Sequence, residues 1–220
     1  MRIPVLILAA SVSLAAGLLA IREIHDTKFD GPDERSLLFA LIGAEWAAPR
    51  PLGRAAQTAI LDGCARAQLS PSIALFPASD RKKAATHCLA MADKYLEDTT
   101  VSAIAHYARA VSALTLNDRD MMSSALQLSQ VSGPYEGWIA ERRVDLALRD
   151  FDRISAATRK TIRKDLQLVA AEPQYCTNMA RRYLRYPEGQ AWIASVIENL
   201  SEADQGAFLA ATRKVASSSE

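Results

Sequence analysis

Two glutamates beside a tryptophan are the first residues in this chain that could do chemistry. Glu136 and Glu141 flank Trp138, and glycan-cleaving enzymes use a carboxylic acid close to the sugar that they hold. The same residues also fit a structural role, in which Tyr135 and Trp138 pack in the first turn of a helix and Glu136 complements its dipole. Because the spacing of the glutamates is not diagnostic, we expect the structural role and keep an acid catalyst as the alternative.

An arginine- and tyrosine-rich stretch over residues 175–186 is the most distinctive candidate for binding. Arginine grips anionic groups, and tyrosine stacks on sugar or protein surfaces. The alternative is a solvated helix face with buried tyrosines. Nearby, Arg142 and Arg143 are expected to pair with Glu141 and Asp145 along their own helix. The candidate binding residues are Tyr175, Arg181, Arg182, Tyr183, Arg185, Tyr186 and Trp138.

The three cysteines are Cys64, Cys88 and Cys176. Cys64 and Cys88 lie on the apolar stripes of successive predicted helices, so an antiparallel hairpin could bring their Cα atoms within the roughly 4.4–6.8 Å that a disulfide requires. We hypothesise that the two are bonded; the alternative is a pair of buried thiols that never meet. Cys176 is left over, and we expect burial rather than catalysis.

The histidines give no indication of a metal site. His25, His87 and His106 are scattered, and the sequence has no HExxH or CxxC pattern. His87 and Cys88 are neighbours, but adjacent side chains on a helix point about 100° apart, so they are not expected to form a thiol–base pair. The sequence therefore predicts no metal, no cofactor and no catalytic residue.

An uncharged apolar run covers residues 3–21 and is bracketed by Arg2 and Arg22. This run bears on the cellular compartment of the protein. Its length is close to the roughly 20 residues that a helix needs to cross a membrane. Small residues within the run also fit a cleaved secretory signal, and a buried helix of a cytosolic protein is a third interpretation. Continuation of the run to Ile21 favours an uncleaved single-pass anchor in the inner membrane, with a periplasmic C-terminal domain. Cleavage would give an exported, soluble protein instead.

The composition indicates an all-α protein. The 220 residues are half hydrophobic but only 6% aromatic, and alanine-rich sequence poor in β-branched residues favours packed helices. The net charge of +1 gives no field that would recruit nucleic acid. We predict a signal-anchor or signal peptide over 1–22, a linker and short apolar helix over 23–52, an α-helical domain over 53–216 and a disordered tail over 217–220.

Short paired helices over residues 103–148, with a turn at Asn117 and Asp118, resemble the helix-turn-helix packing of tetratricopeptide-like solenoids. The resemblance implies an irregular α-solenoid, or a helical bundle of paired antiparallel helices, after a single N-terminal hydrophobic helix. Small membrane-anchored bacterial proteins of this type resemble accessory factors of envelope or surface-polysaccharide assembly.

Two functions follow as expectations. The first is a membrane-tethered, extracytoplasmic adaptor that binds a protein partner in the inner membrane or periplasm. The alternative is an envelope glycan-cleaving enzyme that uses Glu136 or Glu141 as its acid; replacing both with glutamine would abolish the enzyme and leave the adaptor intact. A structural exported domain without a dedicated ligand is a third interpretation.

Overall fold

The computed structural model describes residues 34–43 and 53–218, together with the single positions Gly17 and Ile21. Apart from those two positions, the predicted membrane segment over 3–21 lies outside the described residues, and so does most of the predicted linker. Within the described ranges, no helix is long and apolar enough to cross a membrane. The anchor therefore stays a prediction from the sequence.

The described part of the chain is all-α, which confirms the fold class predicted from composition. Its residues form ten α-helices and no strand. In chain order these are α1 Glu34–Ile42, α2 Arg54–Leu69, α3 Ala78–Asp98, α4 Ala103–Leu116, α5 Arg119–Ser132, α6 Gly137–Arg149, α7 Ala156–Ala170, α8 Cys176–Arg185, α9 Gln190–Ile197 and α10 Glu202–Ser217. The chain divides into two compact units, Met1–Met91 and Ala92–Glu220.

Three helices are shorter than the sequence pattern indicates. The apolar patterns of the sequence predict helices over 135–154, 173–186 and 188–199. The structure has α6, α8 and α9 in these places. Short 3-10 turns, Pro173–Tyr175 and Pro187–Gly189, come before α8 and α9. Proline fits the first position of such a turn because its missing N–H would have no partner there.

Side-chain caps fix where several helices begin. The side chains of Ser102, Asp118, Ser155 and Ser201 each accept a hydrogen bond from the backbone N–H three residues later. Between α4 and α5, Asn117 takes the left-handed conformation with φ of 63°, which asparagine tolerates better than most residues. The predicted turn at Asn117 and Asp118 is therefore confirmed, and Asp118 also caps α5.

In the first unit, α1 and α2 pack closely and α2 is linked to α3. A Cβ at Gly63 would lie only 2.9 Å from Leu37 Cδ2, so the glycine permits the close approach of α1 to α2. The sulfur atoms of Cys64 and Cys88 lie at bonding distance, and their Cα atoms are 6.0 Å apart. Both cysteines are fully buried. The predicted pairing of these two residues thus has the geometry that a disulfide requires.

In the second unit, α4 with α5 and α6 with α7 form antiparallel hairpins. Across the first hairpin, the Ser129 hydroxyl donates to the Ala103 carbonyl over 2.7 Å. Across the second, Arg143 contacts Asp165. Helix α8 then runs beside α6 in the same direction, since Asn178 bonds Glu141 and, further along, Tyr186 bonds Asp145.

Candidate binding surface

A buried arginine holds the hairpin of α6 and α7 together. The Arg143 and Asp165 side chains have no exposed surface. Arg143 Nε and Nη2 donate to the two Asp165 carboxylate oxygens, each over 2.7 Å. This finding corrects the prediction for Arg143, which pairs with a carboxylate on the next helix and not with Glu141 or Asp145 on its own.

Arg143 also connects its hairpin to the end of α5. Its Nη1 donates to the Ser129 carbonyl over 3.2 Å, and its Nη2 donates to the Gly133 carbonyl over 3.0 Å. Burial raises the pKa of Asp165, while the hydrogen bonds and charge of Arg143 oppose that shift. A charge pair removed from water is maintained only when its bonds are satisfied, so Arg143 fixes the segment that leads into α6.

The sequence carries a signal for this pair on two apolar helix faces. Arg143 lies among the residues that carry the apolar line of α6, including Ala140, Val144 and Ala147. Asp165 lies among the buried residues of α7, beside Leu166. One charge of each sign on two consecutive apolar helix faces indicates a buried pair, because an isolated charge there would be costly.

A second polar cluster joins α6 to α8, and we call it the α6–α8 seam: Glu141, Asp145, Asn178, Arg182 and Tyr186. Glu141 Oε1 accepts from Asn178 over 2.7 Å and from Arg182 Nη1 over 2.9 Å. Asp145 accepts from Arg182 Nε and from the Tyr186 hydroxyl, both over 3.3 Å. These contacts bring the predicted Arg182 and Tyr186 into the interior of the domain.

Two tyrosine hydroxyls lie near this seam. Burial, followed by the charge of Asp145, raises the pKa of Tyr107 and of Tyr186 above the ordinary tyrosine value. Asp145 also pairs with Arg149 on its own helix over 2.9 Å. Both tyrosines are therefore neutral packing residues whose hydroxyls lie close to an ion-pair cluster.

Three aromatic residues and one arginine lie around the beginning of α6. We call this set the aromatic edge: Tyr135, Trp138, Arg142 and Tyr175. Tyr135 is 87% exposed and Trp138 is 38% exposed. The Arg142 guanidinium lies over the Trp138 ring, 5.1 Å from its centroid. The expectation that Tyr135 packs in the first helical turn is wrong, because its side chain points into solvent.

Gly137 lets Tyr175 approach this edge. A Cβ at Gly137 would lie 2.8 Å from the Tyr175 hydroxyl oxygen, closer than side chains normally come. The Tyr175 ring therefore lies against the backbone at the start of α6, with part of its surface accessible. This contact places one residue of the predicted arginine- and tyrosine-rich stretch beside Trp138.

The other predicted binding residues are divided between interior and surface. The Tyr183 ring packs in a T-shaped arrangement with the Phe208 ring of α10, with centroids 5.7 Å apart. Arg181 and Arg185 are exposed on α8. Arg181 donates to the Asn178 side chain over 3.0 Å, and the Arg185 guanidinium lies over the Tyr186 ring.

The two candidate acids differ in their surroundings. Glu136 is exposed and precedes the first residue of α6, where its side chain makes no capping hydrogen bond. Glu141 is half-buried and holds α8 through Arg182 and Asn178. The contacts of Glu141 are those of a structural ion pair, so they give no support to its use as an acid.

The remaining candidate residues have structural surroundings. His87 Nδ1 lies 2.7 Å from the Leu41 carbonyl oxygen. Burial and nearby Asp204 raise the pKa of the half-buried Cys176 thiol. Within the residues that the structure describes, no group of histidine, cysteine or acidic side chains could hold a metal ion.

His106 predicts a loss of stability in mild acid. The side chain is buried, its Nδ1 has no hydrogen-bond partner among the described residues, and burial lowers its pKa below 6.5 despite a hydrogen bond to the Thr100 backbone. The unfolded chain thus binds the proton more readily, and stability should fall as pH drops below about 6.5. In urea unfolding at about pH 7.5 and about pH 5, the wild type should lose more stability than His106→Asn. Equal losses would contradict this account.

Comparison of the chain with known protein families, characterised proteins and solved structures finds no match. The surface of the second unit is therefore the basis for a functional proposal. That surface consists of the aromatic edge and the two exposed arginines of α8, which lie beside the α6–α8 seam.

Proposed function

We propose that this protein is a membrane-tethered, extracytoplasmic helical adaptor that binds a protein partner in the bacterial envelope. The observation that carries the proposal is the aromatic edge. Tryptophan, tyrosine and arginine are the residues that most often dominate the energy of protein interfaces. Here Trp138 and Arg142 lie on α6 and the exposed Tyr135 directly precedes it, while the Arg143–Asp165 pair holds another face of the same helix.

The arrangement of helices supports a repeat-like architecture. Antiparallel hairpins follow one another along the second unit, and α6 and α8 lie side by side in the same direction. Such stacking is typical of tetratricopeptide-like solenoids, which present a broad surface for partners. An irregular α-solenoid, and a role as an accessory factor of surface-polysaccharide assembly, are parts of this proposal.

The cysteine pair supports location outside the cytoplasm. Disulfides persist in the periplasm and are rare in the cytosol, where thiols are kept reduced. Cys64 and Cys88 have the geometry of a bonded pair, and the apolar run over 3–21 supplies a means of export. Anchoring in the inner membrane with a periplasmic domain accounts for both features.

Photo-crosslinking in intact cells tests the proposal. A photoreactive phenylalanine derivative in place of Tyr135 should give a discrete adduct with one envelope protein, because that side chain is exposed at the proposed interface. The matched control carries the same derivative in place of Leu209, which is exposed on α10. Absence of an adduct at Tyr135, or the same adducts from both positions, would overturn the adaptor proposal.

A further inference from the structure

The charges of α6 and α8 are strongly unbalanced. These two helices contain six arginines and only two carboxylates, Glu141 and Asp145. Both carboxylates already pair with Arg182, and Asp145 pairs with Arg149 as well. Arg143 pairs with Asp165 on α7. The ion pairs within the domain therefore occupy both acids of α6 and α8.

Arg181 and Arg185 are the cations left on the exposed side of α8. Neither forms an ion pair with a carboxylate of the described residues; one contacts an amide and the other an aromatic ring. Residues four apart are neighbours on a helix surface, so Arg181 and Arg185 lie one turn apart on α8. Each guanidinium presents a planar fork of donors that matches a carboxylate.

Contacts across the seam connect these arginines with the aromatic edge. Asn178 accepts from Arg181 and donates to Glu141, which lies one turn from Trp138 on α6. Tyr175, one turn before Asn178, lies against Gly137. Exposed aromatic rings and two available guanidinium groups thus flank one seam.

We propose that this surface binds a short acidic segment of the partner protein, with carboxylates on Arg181 and Arg185 and an apolar side chain on the aromatic edge. The inference rests on the proposed adaptor function and names the chemistry of its partner. Charge complementarity of this kind sets specificity and accelerates encounter. Aromatic and arginine contacts then supply most of the affinity.

A protein segment fits this surface better than a uniformly anionic polymer or lipid surface. Glu141 and Asp145 place two negative charges in the seam. These charges repel a polymer or lipid surface that is negative throughout. A peptide can place its acidic residues on the two arginines and an apolar residue elsewhere. A dense polyanion would instead require a broad field of positive charge, whereas the whole chain carries a net charge of only +1.

The test measures binding of a fluorescein-labelled, glutamate-rich peptide that contains one leucine and one tyrosine. Its counterpart has glutamine in place of every glutamate. The full chain in detergent should bind the acidic peptide and not its counterpart, and R181E/R185E should weaken binding at least about tenfold. The matched control is K160E/K164E, which makes the same change in net charge at two exposed lysines one turn apart on α7. It should stay within about twofold of wild type.

Four results of the binding experiment would overturn the inference. These are failure of the acidic peptide to bind, equal binding of the glutamine counterpart, equal loss in K160E/K164E, and tighter binding of heparin or phosphatidylglycerol vesicles that R181E/R185E abolishes. The cellular adduct at Tyr135 distinguishes failure of this inference from failure of the adaptor function. If R181E/R185E leaves that adduct unchanged, the acidic partner is wrong and the adaptor stands; if no adduct forms in the wild type, the adaptor itself fails.

Discussion

Replacing Arg143 with methionine is expected to lower the free energy of unfolding by about 3–5 kcal/mol. The substitution leaves the Asp165 carboxylate buried without its two charge-assisted hydrogen bonds. It also removes a donor from the carbonyls of Ser129 and Gly133. Urea unfolding of the full chain in detergent, followed by circular dichroism at neutral pH, measures the change.

The controls separate the buried pair from a general effect of losing arginine. Arg153→Met removes an exposed arginine that pairs with Asp150 over 3.6 Å, and it should change stability by no more than about 0.5 kcal/mol. The double variant R143M/D165L should be more stable than R143M, because an apolar pair leaves no uncompensated charge. Equal stability of R143M and R153M would show that the pair does not hold the α6–α7 hairpin.

Loss of the cysteine pair is expected to have the second largest effect. Cys64 and Cys88 are separated by 24 positions, and a crosslink that closes a loop of this size stabilises a protein by about 3 kcal/mol. C64S/C88S should therefore unfold at lower urea concentration than the wild type under oxidising conditions. The same urea titration measures the difference.

Reducing conditions and Cys176 provide the comparison. With dithiothreitol present, wild type and C64S/C88S should converge, since both then lack the crosslink. Cys176→Ser should unfold like the wild type, because Cys176 is a free thiol. If alkylation of the protein taken from cells finds three free thiols, the proposed location outside the cytoplasm loses its main support.

Local signals in the sequence are sufficient to predict the helices and the cysteine pair. The turn at Asn117 and Asp118 and the cap at Ser201 depend on neighbouring residues alone, so they could be predicted. The apolar periodicity around Cys64 and Cys88 placed both on buried faces, as the structure has them. The helix predicted over 173–186 includes the short 3-10 turn at its start, because Pro173 also fits a helix N-terminus. Pro187 is correctly predicted to divide α8 from α9, but the helix predicted over 188–199 includes the last two residues of the second turn.

Long-range partners decided the candidate surface, and local spacing along one helix did not assign them. Arg143 has two acids within one turn of its own helix, and these compete with the weaker signal from the apolar faces of α6 and α7. The packing of α7 decides that Arg143 bonds Asp165. Arg182 and Tyr186 were grouped with Arg181 and Arg185 by composition. The parallel placement of α6 and α8 separates them, since Arg182 and Tyr186 turn toward Asp145 and the other two face solvent.

The most direct test of the adaptor compares the proteins that co-purify from detergent-solubilised membranes with three versions of the chain. These are the wild type, Y135A/W138A, and the control Leu209→Ala at another exposed apolar position. The adaptor account predicts a defined envelope protein with the wild type and the control, and at least about tenfold less with Y135A/W138A. The same proteins in equal amounts with all three versions would contradict the account.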